Sequence, residues 1–386
     1  MSNSENLERT LNHSVEKPFQ IAILPYRGAD FARRYGYTVR DLMILSALQD
    51  SVYVSSILWL QRPKVVTEWL NRATLIEHDK LSSPRKIDLN ILGQILFRRG
   101  WTATSMHTHD RALREWSIST GGVLIDFHPF YIPPKDVLKQ SNVFYWYDLI
   151  DNFSKHNLFS EFQKGLVKKK YDFVREHAKF VSGVSELAVE AAGGGLVIQN
   201  RLSGKNNKTE KRFLSPRYDF GFTGFITDKF DVAFINRLSR LGYSVLVRGQ
   251  AYNNQVLREL ESIKNVTLGP AYHHDKQAEI IEQFSVGLVP YKPTKSHDES
   301  PIKLWQYLAQ GASVLLSMKF GSHEERYSRS IGYYSLMSDT EIREFLIRSR
   351  SEQVRRICRN MILDDPDMWW EDAVDSILRK IAADWR

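Results

Sequence analysis

Short apolar runs rich in β-branched and aromatic residues alternate with helical patterns along this chain, twice over, on either side of one polar stretch. That alternation restricts the fold more than any other feature, because strand, helix, strand at this spacing predicts a mainly parallel sheet with helices on both faces. In the first half the strand runs are Ile21 to Leu24, Val52 to Leu60, Gly122 to Phe127, Val143 to Tyr147, Phe180 to Ser182 and Leu196 to Ile198, with Val65 to Leu70 a further strand or short helix. Helices are predicted from Arg40, where Leu42, Ile44, Leu45 and Leu48 lie on or near one face, and from about Ser185. Asn200 to Pro216 is polar and basic and reads as a linker. The pattern then restarts, with strands at Phe220 to Gly224, Ser244 to Gly249, Asn265 to Leu268, Val286 to Val289 and Ser313 to Ser317. Helices run through Phe230 to Leu241, from about Asn254, and over Lys303 to Gln310. The prediction is an α/β chain of two doubly wound domains, residues 1–200 and 217–365, joined by 201–216. A helical tail over 366–386, carrying Trp369 and Trp370, is expected to pack back on the first domain. Open parallel sheets bind ligands beyond the carboxyl ends of their strands, so two such domains facing each other enclose a cleft.

Composition narrows the class. With 386 residues, 42% of them hydrophobic, there is material for two cores. A single cysteine, Cys358, excludes an internal disulfide and a thiolate-rich metal site. The opening MSNSENLERTLNH has no signal-peptide pattern, and no apolar run approaches the ~20 residues that cross a bilayer, so a cytoplasmic enzyme is expected. The net charge of +8 suits a phosphorylated ligand, anionic lipid or nucleic acid. A basic nucleic-acid-binding protein, or a noncatalytic scaffold, is therefore the reading of another class. It lacks zinc-finger spacing or a basic tail, and it predicts steep salt dependence.

Chemistry concentrates in His297 to Ser317, HDESPIKLWQYLAQGASVLLS. Ser300-Pro301 is a helix entry, Lys303, Gln306 and Gln310 then share one face, and Gly311 ends the helix. Free amides at a helix N-terminus with a lysine one turn in make a pyrophosphate site; the alternative is a surface helix with a solvated lysine. His107 with His109, and His273 with His274, lack the companions a zinc site needs. His128, which follows a strand, is a candidate acceptor or donor contact. Gly28 and Gly36 do not form a GxGxxG fingerprint, so no nicotinamide cofactor is expected. Their loop carries Arg33, Arg34 and Arg40, which either approach a phosphate or form plain cleft rim.

The segment SPIKLWQYLAQGASVLLS resembles the donor-binding segment of GT-B glycosyltransferases, whose two Rossmann-like domains face across a cleft. YWYDLIDNFS, FVSGVSELAVEAA, VIQN, FGFTGFITDKFD and FSVGLVPY resemble further parts of that fold, in order. Many retaining members carry two glutamates eight positions apart; here the comparable residues are Asp298 and Gln306. The Lys303 and Gln306 combination is similar instead to the bacterial glucuronosyltransferases of xanthan-type exopolysaccharide assembly. That resemblance implies an inverting, metal-independent transfer of glucuronate from UDP-glucuronate to a lipid-linked oligosaccharide, with no prosthetic group. A hexosyltransferase using another UDP- or GDP-sugar is the alternative. It also implies that Lys303 contacts the donor phosphates, Gln306 the ribose or a nearby phosphate, and Tyr291 the nucleotide, with Ile302 in the adjoining wall. Gly224, followed by Phe225, would let the sugar diphosphate come close, and Arg248 would help meet the leaving-group charge. Inversion needs one carboxylate to take the acceptor proton. Asp151 is the candidate base and Asp148 its rival; either could simply cap the next helix. Arg40 and His128 are placed at the acceptor side or the cleft.

The implied acceptor lies at the inner face of the plasma membrane, so peripheral attachment to an anionic surface is expected. Trp59, Leu60, Arg62, Lys64 and Trp69, with Phe97, Arg98, Arg99 and Trp101, mix aromatic and basic side chains in the way such a surface favours. The competing account puts the tryptophans in the core. Oligomeric state is not specified by any of these features.

Overall fold

The computed structural model describes residues 17–65, 78–84, 87–88, 101–157, 159–205, 213, 215–296 and 300–385. Asp298, Trp69, Phe97, Arg98 and Arg99 lie outside the described residues, as do the side chains of Lys64 and Trp101.

Two parallel sheets carry the chain. The first contains β1 (Phe19–Leu24), β2 (Val54–Trp59), β3 (Leu81–Ser82), β4 (Gly122–Asp126), β5 (Val143–Leu149), β6 (Phe180–Gly183) and β7 (Leu196–Val197), in the order β3-β2-β1-β4-β5-β6-β7. The second contains β8 (Tyr218–Thr223), β9 (Val245–Arg248), β10 (Val266–Gly269), β11 (Phe284–Val289), β12 (Ser313–Leu316) and β13 (Ile331–Tyr333), in the order β10-β9-β8-β11-β12-β13. Each sheet starts at its middle, runs outward one way, and returns to build the other side. Strands covered on both faces read as unbroken apolar runs. Every residue of β5, VFYWYDL, and of β11, FSVGLV, is buried accordingly.

The helices include α1 (Ala29–Tyr35), α2 (Arg40–Asp50), α3 (Asp110–Ser119), α4 (Glu161–His177), α5 (Glu186–Ala191), α6 (Val232–Arg240), α7 (Asn254–Glu261), α8 (Ile302–Ala309), α9 (Asp339–Ser349), α10 (Glu352–Leu363) and α11 (Trp370–Trp385). The sequence pattern left β3, β13, α4, α9 and α10 unplaced, and it read as a loop the stretch between Gly28 and Gly36 that forms α1. In α4 the charged run KGLVKKKYDFVREH masks an apolar stripe of Val167, Tyr171 and Val174. Its start was nonetheless encoded: Ser160 and Gln163 form a reciprocal capping box, each satisfying the other's backbone amide.

Two passages join the halves. Past β7 the chain does not at once become a bare polar linker, because Leu202 is buried and pairs with the tail. Leu202 N donates to Met368 O at 2.8 Å, and Trp370 N donates to Leu202 O at 2.9 Å. From there α11 lies on α2 of the first domain, burying Trp370, Val374, Ile377, Leu378 and Ile381 in that core. Trp59 and Leu60 are also core, with 1% and 0% of their surface exposed, so these two do not belong to a membrane-facing patch. No described helix is long and apolar enough to cross a membrane.

Candidate functional site

The carboxyl ends of both sheets face one cleft of about 360 Å³. Its second-domain wall is built around α8. Pro301 precedes that helix and makes no side-chain cap bond, and Ile302 and Lys303 of its first turn line the cleft. Lys303 extends past the turn that follows β8, and its ammonium donates to the Tyr291 hydroxyl while lying 4.8 Å from the Tyr291 ring centroid. Gly224 makes that course possible. It has φ +133°, and a Cβ there would stand 3.1 Å from Lys303 Cε. Gly249 is tighter still, since a Cβ at its φ of +151° would stand 1.8 Å from Gly224 O.

Below Lys303 runs a polar floor. Gln277 donates to the Gln306 amide oxygen at 2.7 Å, and the Tyr307 hydroxyl accepts from Thr223 N at 2.8 Å. Burial raises the pKa of Tyr307 and of Tyr272, keeping both as neutral phenols. Gln306 is 9% exposed, enough to present an edge to the cleft.

The first-domain wall comes from the loop between α1 and α2, with Tyr35 and Thr38, and from the turn after β5, with Ile150 and Asp151. One Asp151 carboxylate oxygen accepts from Asn152 N at 2.7 Å, which fixes the side chain close to its own backbone. The domains also meet at the lip. Phe225 stands edge-on to Tyr35 at 5.5 Å and to Tyr252 at 5.2 Å. Gly36 sits so close to His274 that a Cβ on it would be 2.4 Å from His274 Cβ.

Seven residues singled out from the sequence line this cleft: Asp151, Gly224, Phe225, Tyr291, Ile302, Lys303 and Gln306. Four do not: burial takes Asp148, Arg40 and His128 out of the site, while Arg248 stands beside the lining, within electrostatic reach of Tyr272. Asp148 is 0% exposed and holds Arg40 through both oxygens, at 2.6 and 2.7 Å, with the Ser182 hydroxyl adding a third bond at 2.5 Å. A carboxylate so enclosed cannot meet an acceptor hydroxyl. Arg40, 2% exposed, also donates to Ile198 O at 2.6 Å and lies over the Trp370 ring, so it ties α2, β5 and α11 together rather than facing a ligand. Arg248 runs along Gly269, outside the cleft lining. His128 accepts from Phe130 N and Tyr131 N, and burial beside Lys170 pushes its pKa down to about 3. It is a loop-shaping neutral imidazole.

The structure adds Asn200, Gly249, Tyr272, Gln277 and Ser300, which the sequence reading missed as site residues. Their one available signal was position after a strand or before a helix. Among the described residues no three His, Cys, Asp or Glu side chains converge as metal ligands.

No protein-family profile matches the chain, and no curated protein matches it by sequence. Solved structures do match. AviGT4, a glycosyltransferase involved in avilamycin A biosynthesis, superposes with a TM-score of 0.56 at 9% identity, covering 95% of this chain and 99% of that one. The N-terminal domain of Candida albicans trehalose-6-phosphate phosphatase gives 0.60 at 8% identity, covering 94% and 96%. LpCGTa, solved in complex with UDP, gives 0.51 at 10% identity, covering 96% and 99%. The shared property at such identities is the fold: two Rossmann-like α/β domains with parallel sheets, in the GT-B arrangement.

Proposed function

We propose that this chain is an inverting glycosyltransferase that uses a nucleotide-activated sugar. The observation that carries the reading is the division of one cleft. A lysine on the first turn of a helix stands on one wall, and among the described lining residues one carboxylate, Asp151, stands on the other. A nucleoside diphosphate fits the first wall, because the amides and Lys303 supply positive charge where the diphosphate sits. In the transfer, the acceptor oxygen attacks the anomeric carbon from the face opposite the diphosphate, and Asp151 takes the proton from that oxygen. The bond from the anomeric carbon to the diphosphate breaks, and its electron pair leaves with the nucleotide. Lys303 and the amides meet the charge that develops there. One displacement inverts the anomeric centre. Metal independence belongs to the same proposal and predicts undiminished turnover in EDTA. AviGT4 being a glycosyltransferase, and LpCGTa holding UDP, support the substrate class.

The donor sugar has two readings. Likeness to the xanthan-type enzymes supports UDP-glucuronate, transferred to a lipid-linked oligosaccharide in cell-surface or exopolysaccharide synthesis. The cleft supports a neutral hexose, because among the described residues lining it Lys303 is the one cation, and the diphosphate claims it. A donor panel with purified protein decides between them: turnover of a neutral hexose donor with none of UDP-glucuronate selects the hexose. Lys303→Ala should cost nucleotide affinity by roughly 10-fold or more, the scale of a charge-assisted contact. Retention of full affinity and activity in that variant overturns the donor-site placement.

A further inference from the structure

The proposed base and the proposed phosphate site sit on different domains, so their separation depends on whatever fixes one domain against the other beside the cleft. A short hydrogen-bonded seam occupies that position. Asn200, at the exit from the first sheet, donates its backbone N–H to Ser300 Oγ at 3.0 Å and its side-chain amide to Ser300 O at 2.6 Å. Both residues line the cleft, and they are only 7% and 8% exposed. Ser300 directly precedes Pro301 and the α8 N-terminus that carries Lys303. On the other side, Arg40 grips Ile198 O, two residues before Asn200, and grips Asp148, three residues before Asp151 on the exit of β5. One chain of buried contacts therefore runs from the Asp151 turn through Asp148, Arg40 and Asn200 to Ser300 and the start of α8.

We propose that Asn200 and Ser300 are positioning residues that set the reach between Asp151 and the donor phosphates held at Lys303. The proposal rests on the glycosyl-transfer reading. Neither residue supplies a proton or a charge. Each holds a wall of the cleft, and a displacement of about 1 Å between reacting groups can cost on the order of 100-fold in rate.

The test compares Asn200→Ala, Ser300→Ala and the double variant with the wild-type full chain, after circular dichroism and thermal melting confirm folding. Lys303, Gln306 and Gly224 all belong to the second domain, so UDP and GDP affinity by calorimetry should stay within about twofold while kcat falls roughly 10- to 100-fold. Each substitution removes one of the two bonds of the seam, so the double variant should be the slowest, yet by less than the product of the single effects, because both bonds hold the same two walls. Unchanged kcat in both single variants overturns the proposal. So does loss of nucleotide affinity in parallel with kcat, which would make Asn200 a direct substrate contact, and so do additive losses. If the wild type turns over no sugar nucleotide, the functional reading falls by itself, and amide hydrogen exchange then judges the seam. Ser300→Ala should speed exchange at the Asn200 amide by roughly 10-fold or more without global unfolding; unaltered protection there overturns the seam.

Discussion

Two carboxylates three residues apart have opposite fates, and the cause is what each one meets. Asp148 ends inside β5 and is neutralised by Arg40, whereas Asp151 lies beyond the strand, on the cleft wall. Asp151→Asn should therefore keep the fold and nucleotide affinity but lower kcat by roughly 10²–10⁴-fold, the usual contribution of a positioned general base, as steady-state kinetics and product stereochemistry will report. Asp148→Asn should act on stability instead, since it leaves a buried guanidinium without its counter-charge. A third acid, Asp41, is 2% exposed; one oxygen accepts from Tyr26 N and Arg27 N, and the other has no hydrogen-bond partner. Burial pushes its pKa up from 3.8 to about 6. The folded state then holds this proton more tightly than the unfolded chain, so the stability it contributes is complete below about pH 4 and is lost as pH rises through about 6. Two pK units correspond to about 3 kcal/mol. Thermal melting across pH 4 to 7 should show that slope, and Asp41→Asn should flatten it.

Among the elements, α11 is far from its neighbours in sequence and close to the start of the chain in space. Its Trp370 is 0% exposed in the first domain's core, with the Arg40 guanidinium 4.7 Å from the ring centroid. Removing such a side chain leaves a large cavity, so Trp370→Ala should destabilise by about 3–5 kcal/mol, seen as a lowered midpoint in urea unfolding of the first domain. The cleft helix α8 follows from local rules: Pro301 begins it, Gly311 with φ +80° ends it, and Leu304, Tyr307 and Leu308 turn inward between. By contrast α4 hides its apolar stripe behind lysines. One of these, Lys170, is fully buried against Asp126 at 2.5 Å, so a charge that reads as solvated from the sequence is part of the core.

At the scale of the whole molecule, the halves touch at both margins of the cleft, through Asn200 and Ser300 on one side and through Tyr35, Phe225 and Tyr252 at the lip. We further propose that the basic chain attaches reversibly to an anionic membrane that presents its acceptor. Trp59 and Leu60 contribute nothing to such contact, being buried. Liposome sedimentation should show binding to anionic vesicles that weakens between low and moderate salt, and a loss on joint replacement of Arg98 and Arg99. Equal partition onto neutral vesicles would contradict the electrostatic attachment.

Local chemistry was enough to locate most strands, the start of α8, and one wall of the cleft built from Gly224, Tyr291, Ile302, Lys303 and Gln306, because each lies at the end of a strand or on the first turns of a helix that periodicity and proline placement mark. Excluding Asp148, withdrawing Arg40 and His128 from the cleft, and finding Asn200 against Ser300 all depended on partners 100 or more residues apart, or on burial. The physical reason is that a charged or polar side chain acquires its role from what surrounds it. Sequence states the charge of an arginine or an aspartate, but only folding brings up the counter-charge that silences it or the open cleft that leaves it reactive.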